Sequence, residues 1–301
     1  MRIAAFRFRL FATLAACAVL IHGLPSAAVA GPRPWQLGLQ DAVSPGAEAV
    51  HAFHDFLLWI ITIITLFVLG LLVYVMVRFN ERANPVPTKT THNSLLEVAW
   101  TVIPVIILVV IAIPSFRILK EQLVIPKPDI VVKATASQWK WSYTYPSDQA
   151  AAAQSDPAQK SAAPADEGFT FLSQLVPKEN IKQGQTWLLS ADEPMVVPVN
   201  KIVKVQVTAS DVIHAFAMPA FGLKLDAVPG RLNETYFKAE REGMYEGQCS
   251  LICGNDHAYM PINIRVVSEA EYTAWLAEAK KKFAANDPAP LRLANAELSA
   301  R

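Results

Sequence analysis

Two long uncharged runs constrain this chain more than any other feature. Phe56 to Val77 carries no charge over about 22 residues, and Val98 to Phe116 carries none over about 19. At ~1.5 Å per helical residue, the first is long enough to cross ~30 Å of hydrocarbon. Both runs are apolar on every side rather than striped, which fits membrane helices better than buried core helices. Pro104 and Pro114 fall in the second run, where neighbouring helices can satisfy the carbonyls they free. The chain's 52% hydrophobic content is concentrated in its first 120 residues, and a net charge of +1 gives no basic footprint for nucleic acid.

Ahead of these runs lies an expected export signal, residues 1–30. Arg2, Arg7 and Arg9 form a positive start, Leu10 to Leu24 an apolar stretch, and Ala28-Val-Ala30 a small-residue cleavage site before Gly31. Leu14-Ala-Ala-Cys17 also resembles a lipobox, so lipidation at Cys17 is the alternative. Export places the mature N-terminus outside, and two spans return the chain to that side. Arg78, Arg82 and Lys89 in the connecting loop, against Arg33 alone before the first span, agree with the positive-inside rule. The expected location is a membrane, multi-pass, with residues 31–119 as a transmembrane hairpin and the remainder on the outer side.

After Pro128 the pattern changes to short β-branched and aromatic runs. Strand candidates are Asp129–Thr135, Gln138–Tyr145, Thr186–Ser190, Lys201–Thr208, Val212–Ala217, Asn233–Lys238, Met244–Gln248 and Ile262–Val267. Such a series predicts a β-sandwich or barrel over residues 120–283, interrupted by a polar, Ala- and Pro-rich insertion at 147–166. An amphipathic helix at Glu269–Phe283 and a polar tail, 284–301, close the chain.

The chemistry is concentrated in Cys249-Ser-Leu-Ile-Cys253-Gly-Asn-Asp-His257-Ala-Tyr-Met260, with His214 upstream in Asp211-Val-Ile-His214-Ala-Phe. Two thiols, two imidazoles and a thioether are a soft ligand set suited to copper. Two readings compete. Cysteines outside the cytoplasm commonly form a disulfide, and Cys₂His₂ is a common zinc set, although zinc has no need of the methionine. A mononuclear blue-copper site uses one thiolate, so two thiolates point instead to a pair of bridged copper ions.

These residues resemble cytochrome c oxidase subunit II in its bacterial, aa3-type, CuA-containing form. The likeness runs from about residue 34 to 275. It rests on the Cys-Ser-x-x-Cys-Gly-x-x-His-x-x-Met loop, Asp211-Val-Ile-His214-Ala-Phe, Pro219-Ala-Phe-Gly-Leu-Lys-Leu-Asp226-Ala-Val-Pro-Gly-Arg, Gln138-Trp139-Lys-Trp141-Ser-Tyr, and Leu96-Glu97-Val-Ala-Trp100-Thr. The resemblance implies a membrane-anchored all-β protein, a two-helix hairpin followed by a cupredoxin-like β-barrel. It implies a binuclear CuA centre held by His214, Cys249, the Leu251 backbone carbonyl, Cys253, His257 and Met260. The family usually has Glu where Leu251 stands, and that side chain also binds Mg or Mn at the boundary with subunit I. Leu251 has no oxygen to offer, which puts the hard-metal site in doubt. Trp139 would be the aromatic at which electrons arrive, Glu97 the mouth of a proton path, and Asp211 and Asp226 part of a cytochrome c dock. Residues 211–260 hold seven acids and four bases, a local excess of three negative charges.

The function implied is that of an oxidase subunit. Cytochrome c delivers electrons to CuA, which passes them to haem in subunit I, where oxygen becomes water and protons are translocated. Implied partners are subunit I with haem and CuB, subunit III, cytochrome c, a copper chaperone and a thiol reductase. A quinol oxidase subunit II would lack these copper ligands. A copper-delivery protein would have no use for Trp139 or Glu97.

Overall fold

The computed structural model describes residues 28–86, 88–147, 149 and 168–284. The export signal up to residue 27 with Cys17, nearly all of the 147–166 insertion and the tail beyond 284 lie outside the described residues.

Helix α1 spans Pro45–Arg78 and α2 spans Ser94–Leu123. Each start is set by a cap. The Ser44 hydroxyl accepts from the Ala47 N–H, with Pro45 at the first position where no donor is needed. The Asn93 side chain accepts from the Leu96 N–H. Ala47 is the one buried residue of α1, and α2 has none. Leu, Ile, Val and Phe therefore cover an open surface that water would penalise and lipid would not. The polar groups inside the first span are satisfied locally: Thr62 and Thr65 donate to the Leu58 and Ile61 carbonyls one turn back.

Most of the described residues after α2 are β. Strands β2 (Ile130–Ser137), β3 (Lys140–Tyr145), β4 (Phe169–Ser173), β6 (Ile202–Ala209) and β9 (Asn233–Lys238) form one sheet in the order β4-β3-β2-β6-β9. The second sheet runs β5 (Met195–Pro198), β11 (Pro261–Val267), β10 (Gly243–Cys249), β7 (His214–Met218), β8 (Leu223–Ala227). A short β1, Ala28–Ala30, lies parallel to Gly243–Tyr245 of β10. The two sheets curl around a shared core. Trp141, Tyr143, Tyr145, Phe216, Phe221 and Tyr245 are all fully buried there, with Trp141 edge-on to Phe216 at 5.3 Å. Helix α3, Glu269–Ala284, closes one end. Its Trp275 ring lies 5.1 Å from Tyr145 and its Phe283 ring 4.8 Å from Phe171. The all-β expectation with an N-terminal helix pair therefore holds, as a two-sheet half-barrel.

One strand candidate is corrected. Thr186–Ser190 is a turn, with the Leu189 N–H donating to the Thr186 carbonyl at 3.1 Å and Leu188 at φ 71°. Its apolar residues Trp187 and Leu189 mimic a strand, but the segment joins β4 to β5 rather than pairing. Strands β1, β4, β5 and β8 are additions to the predicted set.

The hairpin is tied to the β-domain through backbone. Val43 N–H donates to the Ala220 carbonyl and Glu240 N–H to the Val43 carbonyl, both at 3.0 Å. The Ser44 hydroxyl donates to the Phe221 carbonyl, and the Tyr236 hydroxyl to the Glu121 carbonyl beyond the second span.

Candidate metal centre

Two elements meet at one end of the second sheet. His214 opens β7 and Cys249 closes β10, and the two strands pair through Cys249 and Phe216. The chain then turns through Ser250–Asp256 into a 3-10 turn, His257–Tyr259, and returns as β11. The Cys249 N–H donates to the Met260 carbonyl at 3.0 Å, which fixes the two ends of the loop together.

This arrangement brings the ligand candidates together. Donor atoms of His214, Cys249 and Cys253 all lie within 4.8 Å of one another, and all three residues are buried. The two sulfurs are 3.9 Å apart and not bonded to each other. Metal–thiolate bonds of about 2.3 Å can span that gap from a shared ion. His214 Nδ1 faces Cys249 Sγ at 4.0 Å, and His257 Nδ1 faces Cys253 Sγ at 3.5 Å. The site thus has one imidazole nitrogen beside each sulfur. The Leu251 carbonyl is 3.4 Å from Cys249 Sγ, and Met260 is fully buried beside the loop. Burial, and then the neighbouring Cys249, push the Cys253 thiol up to about 12, so a cation is needed to hold it as thiolate at neutral pH.

Asp211 has a structural role that sequence reasoning missed. Its Oδ1 lies 2.9 Å from His214 Nε2 and accepts from its own neighbour's N–H at Val212. Oδ2 accepts from the Gln138 N–H at 2.7 Å. Partial burial opposes its charge, but the bonds from Gln138, His214 and Val212 outweigh that and hold its pKa below the usual value. A carboxylate on Nε2 keeps the proton there and leaves Nδ1 bare toward the sulfurs, the arrangement that orients metal-binding histidines. The Asp-x-x-His spacing is the signal that could have pointed to it.

Trp139 is half-buried beneath the loop rather than free on the surface. A Cβ added at Gly254 would come within 2.9 Å of Trp139 Cζ2 and 3.0 Å of Gln138 Nε2, and Gly254 has φ +127°. Both facts demand glycine there. Gln138 Nε2 donates to the Cys253 carbonyl at 2.8 Å, so the residue before Trp139 is bonded directly to the ligand loop. Trp141 is core.

Around the loop lies an exposed apolar rim of Val212, Ile213, Ile252 and Tyr259. Asp226 and Asp256 are exposed nearby in sequence and strand order. Two of the seven acids counted in this region do not face solvent: Glu234 pairs with Lys204 at 3.1 Å, both nearly buried, and Glu246 is buried. Glu97 is far from this site, exposed in the first turn of α2, where its charge complements the helix N-terminus.

Comparison with known proteins gives consistent results. The family described as cytochrome C oxidase subunit II, periplasmic domain, matches residues 130–267, and its transmembrane-domain counterpart matches residues 32–118. A protein of Rickettsia bellii described as "Probable cytochrome c oxidase subunit 2" is 48% identical over 255 residues, covering 85% of this chain and 88% of its own. Cytochrome c oxidase subunit 2 of Cereibacter sphaeroides is 45% identical over 282 residues, covering 89% and 92%. Among solved structures, the periplasmic domain of subunit II of cytochrome oxidase from Bradyrhizobium japonicum is 51% identical with a TM-score of 0.43, covering 53% of this chain and 99% of that one.

Proposed function

This chain belongs to the cytochrome c oxidase subunit II family, and from that premise we propose that it receives electrons from cytochrome c at a binuclear copper centre and passes them on to haem in subunit I. Membership makes it a membrane-bound subunit of the oxidase complex carrying a cupredoxin-like domain. The finer roles are argued from the residues.

The observation that carries the proposal is the paired geometry of the cluster, with two sulfurs 3.9 Å apart and an imidazole Nδ1 beside each. His214, Cys249, Cys253, His257, Met260 and the Leu251 carbonyl would hold two copper ions. When bound, such a pair shares one unpaired electron across both ions and changes shape little on reduction. The chain's own contribution is to fix the ligands beforehand. Asp211 holds the His214 tautomer, the Cys249–Met260 backbone bond closes the loop, and the β-sandwich excludes water from the buried thiols.

Trp139 is the residue at which electrons reach this centre. Its ring lies under Gly254, and its neighbour Gln138 bonds the Cys253 carbonyl. The exposed rim of Val212, Ile213, Ile252 and Tyr259, with Asp226 and Asp256 alongside, suits a cationic haem protein. Charge steers the encounter and the apolar rim gives close contact. Leu251 offers a carbonyl but no carboxylate, so a Mg or Mn ion at the subunit I boundary would need another ligand. Glu97 sits at the cytoplasmic end of α2, where a carboxylate can collect protons for a path into subunit I. The copper domain lies in the periplasm, and subunit III completes the core of the complex.

Assembly has a chemical requirement. Outside the cytoplasm an oxidant can take two electrons and two protons from Cys249 and Cys253, and the resulting disulfide cannot bind copper. A thiol reductase and a copper chaperone are therefore expected partners. Stopped-flow mixing of the oxidase complex with reduced cytochrome c tests the proposal. Trp139→Phe should slow electron arrival at least about tenfold with copper content unchanged, and rising salt should slow the wild type. Unchanged rates in both experiments would place electron arrival elsewhere.

A further inference from the structure

Glu246 is a buried carboxylate that the copper site does not use. It lies on β10, its residue is 3% exposed, and its Oε2 has no hydrogen-bond partner among the described residues. The Thr186 side chain and backbone N–H both bond the group, but burial outweighs them and raises its pKa. Burying a carboxylate with an unpaired oxygen is costly, and a cation against that oxygen would let it stay charged.

The segment against that oxygen is Gly31. A Cβ built on Gly31 would meet Glu246 Oε2 and lie 3.2 Å from Cδ, so the Gly31 backbone packs directly against the carboxylate. Before cleavage Gly31 follows strand β1, whose Ala28–Ala30 pair with Gly243–Tyr245 just before Glu246. The expected export-signal cleavage falls between Ala30 and Gly31. Hydrolysis of that peptide bond converts the Gly31 amide nitrogen into an α-ammonium, with Ala30 leaving as a carboxylate. That nitrogen is one bond, about 1.46 Å, from the α-carbon already packed on Glu246.

We propose that the new Gly31 α-ammonium docks on the buried Glu246 carboxylate, so that removal of the export signal itself completes this end of β10. The inference rests on the cleavage reading. The precursor cannot make this pair, because an amide nitrogen carries no charge. Maturation therefore exchanges the β1 pairing for an ion pair three residues before Cys249. The arrangement also accounts for an otherwise unexplained glutamate inside a sheet.

The full chain, purified in detergent from membranes of the producing cell, tests this. N-terminal sequencing should begin at Gly31. Acylation of the α-amine by acetic anhydride at pH 7.5, with lysine side chains as internal standards, should then be slow. Glu246→Gln should raise that rate about tenfold or more, because an ion-paired amine has a raised pKa and little free base. Gly31→Ala, whose methyl group displaces the carboxylate end from the amine, should do the same with Glu246 intact, and copper absorbance would report that either variant is folded. A chain beginning at Gly31 with equal rates in wild type and both variants overturns the ion pair. A chain beginning elsewhere, or lipidated at Cys17, overturns the cleavage reading and the proposal with it.

Discussion

The two imidazoles of the metal centre are held in opposite ways. His214 is fully buried at the start of a strand, paired along β8, with Asp211 on its far nitrogen. His257 is half-buried in a 3-10 turn, and its one described side-chain partner is the Cys253 thiol it would share a metal with. The strand side is therefore organised before any ion arrives. The loop side, Ser250 to Met260, is anchored by the Cys249–Met260 bond, Gln138 and the Trp139–Gly254 contact.

That contrast can be broken most forcefully at the sulfurs. Cys253→Ser leaves both histidines in place but removes a bridging ligand, and copper measured after dialysis should fall from two ions per chain to none retained. Next, Asp211→Asn frees the His214 ring without touching a ligand. Competition against a chelator should show copper affinity about 10- to 100-fold weaker. If loop variants weakened binding and this one did not, the strand side would not be preorganised by Asp211. Gly254→Ala attacks the loop side alone. A side chain at positive φ, pressed on Trp139, should lower the unfolding free energy by about 1–3 kcal/mol in denaturant, while the copper count is preserved.

The smallest effect is with pH. Hydrogen bonds depress the Asp211 pKa in the folded chain, so its contribution is fully present above its unfolded value. It is lost as pH falls through the lower folded one. The stability difference between wild type and Asp211→Asn should be constant from neutral pH to about 5 and shrink below about 4. A difference that instead grew with acid would mean that Asp211 is not charged in the folded chain.

Much of this was legible in the sequence, for identifiable reasons. The hairpin shows as two uncharged runs because lipid tolerates no polar face. The ligand set shows because Cys249, Cys253, His257 and Met260 crowd into one loop, and loop spacing survives folding. Other parts were opaque. Trp187 and Leu189 imitate strand alternation, yet Thr186–Ser190 turns. β5 is four buried residues ending in Pro198, too short and too uniformly apolar to show a period. β4 does alternate, with Phe169 and Phe171 inward, but it emerges directly from a polar insertion that hides its start. The contact between Trp139 and Gly254 joins residues more than a hundred positions apart, which no local pattern encodes. Asp211 reads as surface charge until the fold turns it onto His214.

The central claim is that the two thiols and two imidazoles hold a pair of copper ions as one unit. The most direct measurement is an EPR spectrum of the full chain in detergent, loaded with copper under reducing conditions and then partly oxidised, beside its copper-to-protein ratio. The account predicts two coppers per chain and a hyperfine pattern from one electron shared equally between them. One copper per chain with a single-ion pattern, or zinc in its place, would contradict it.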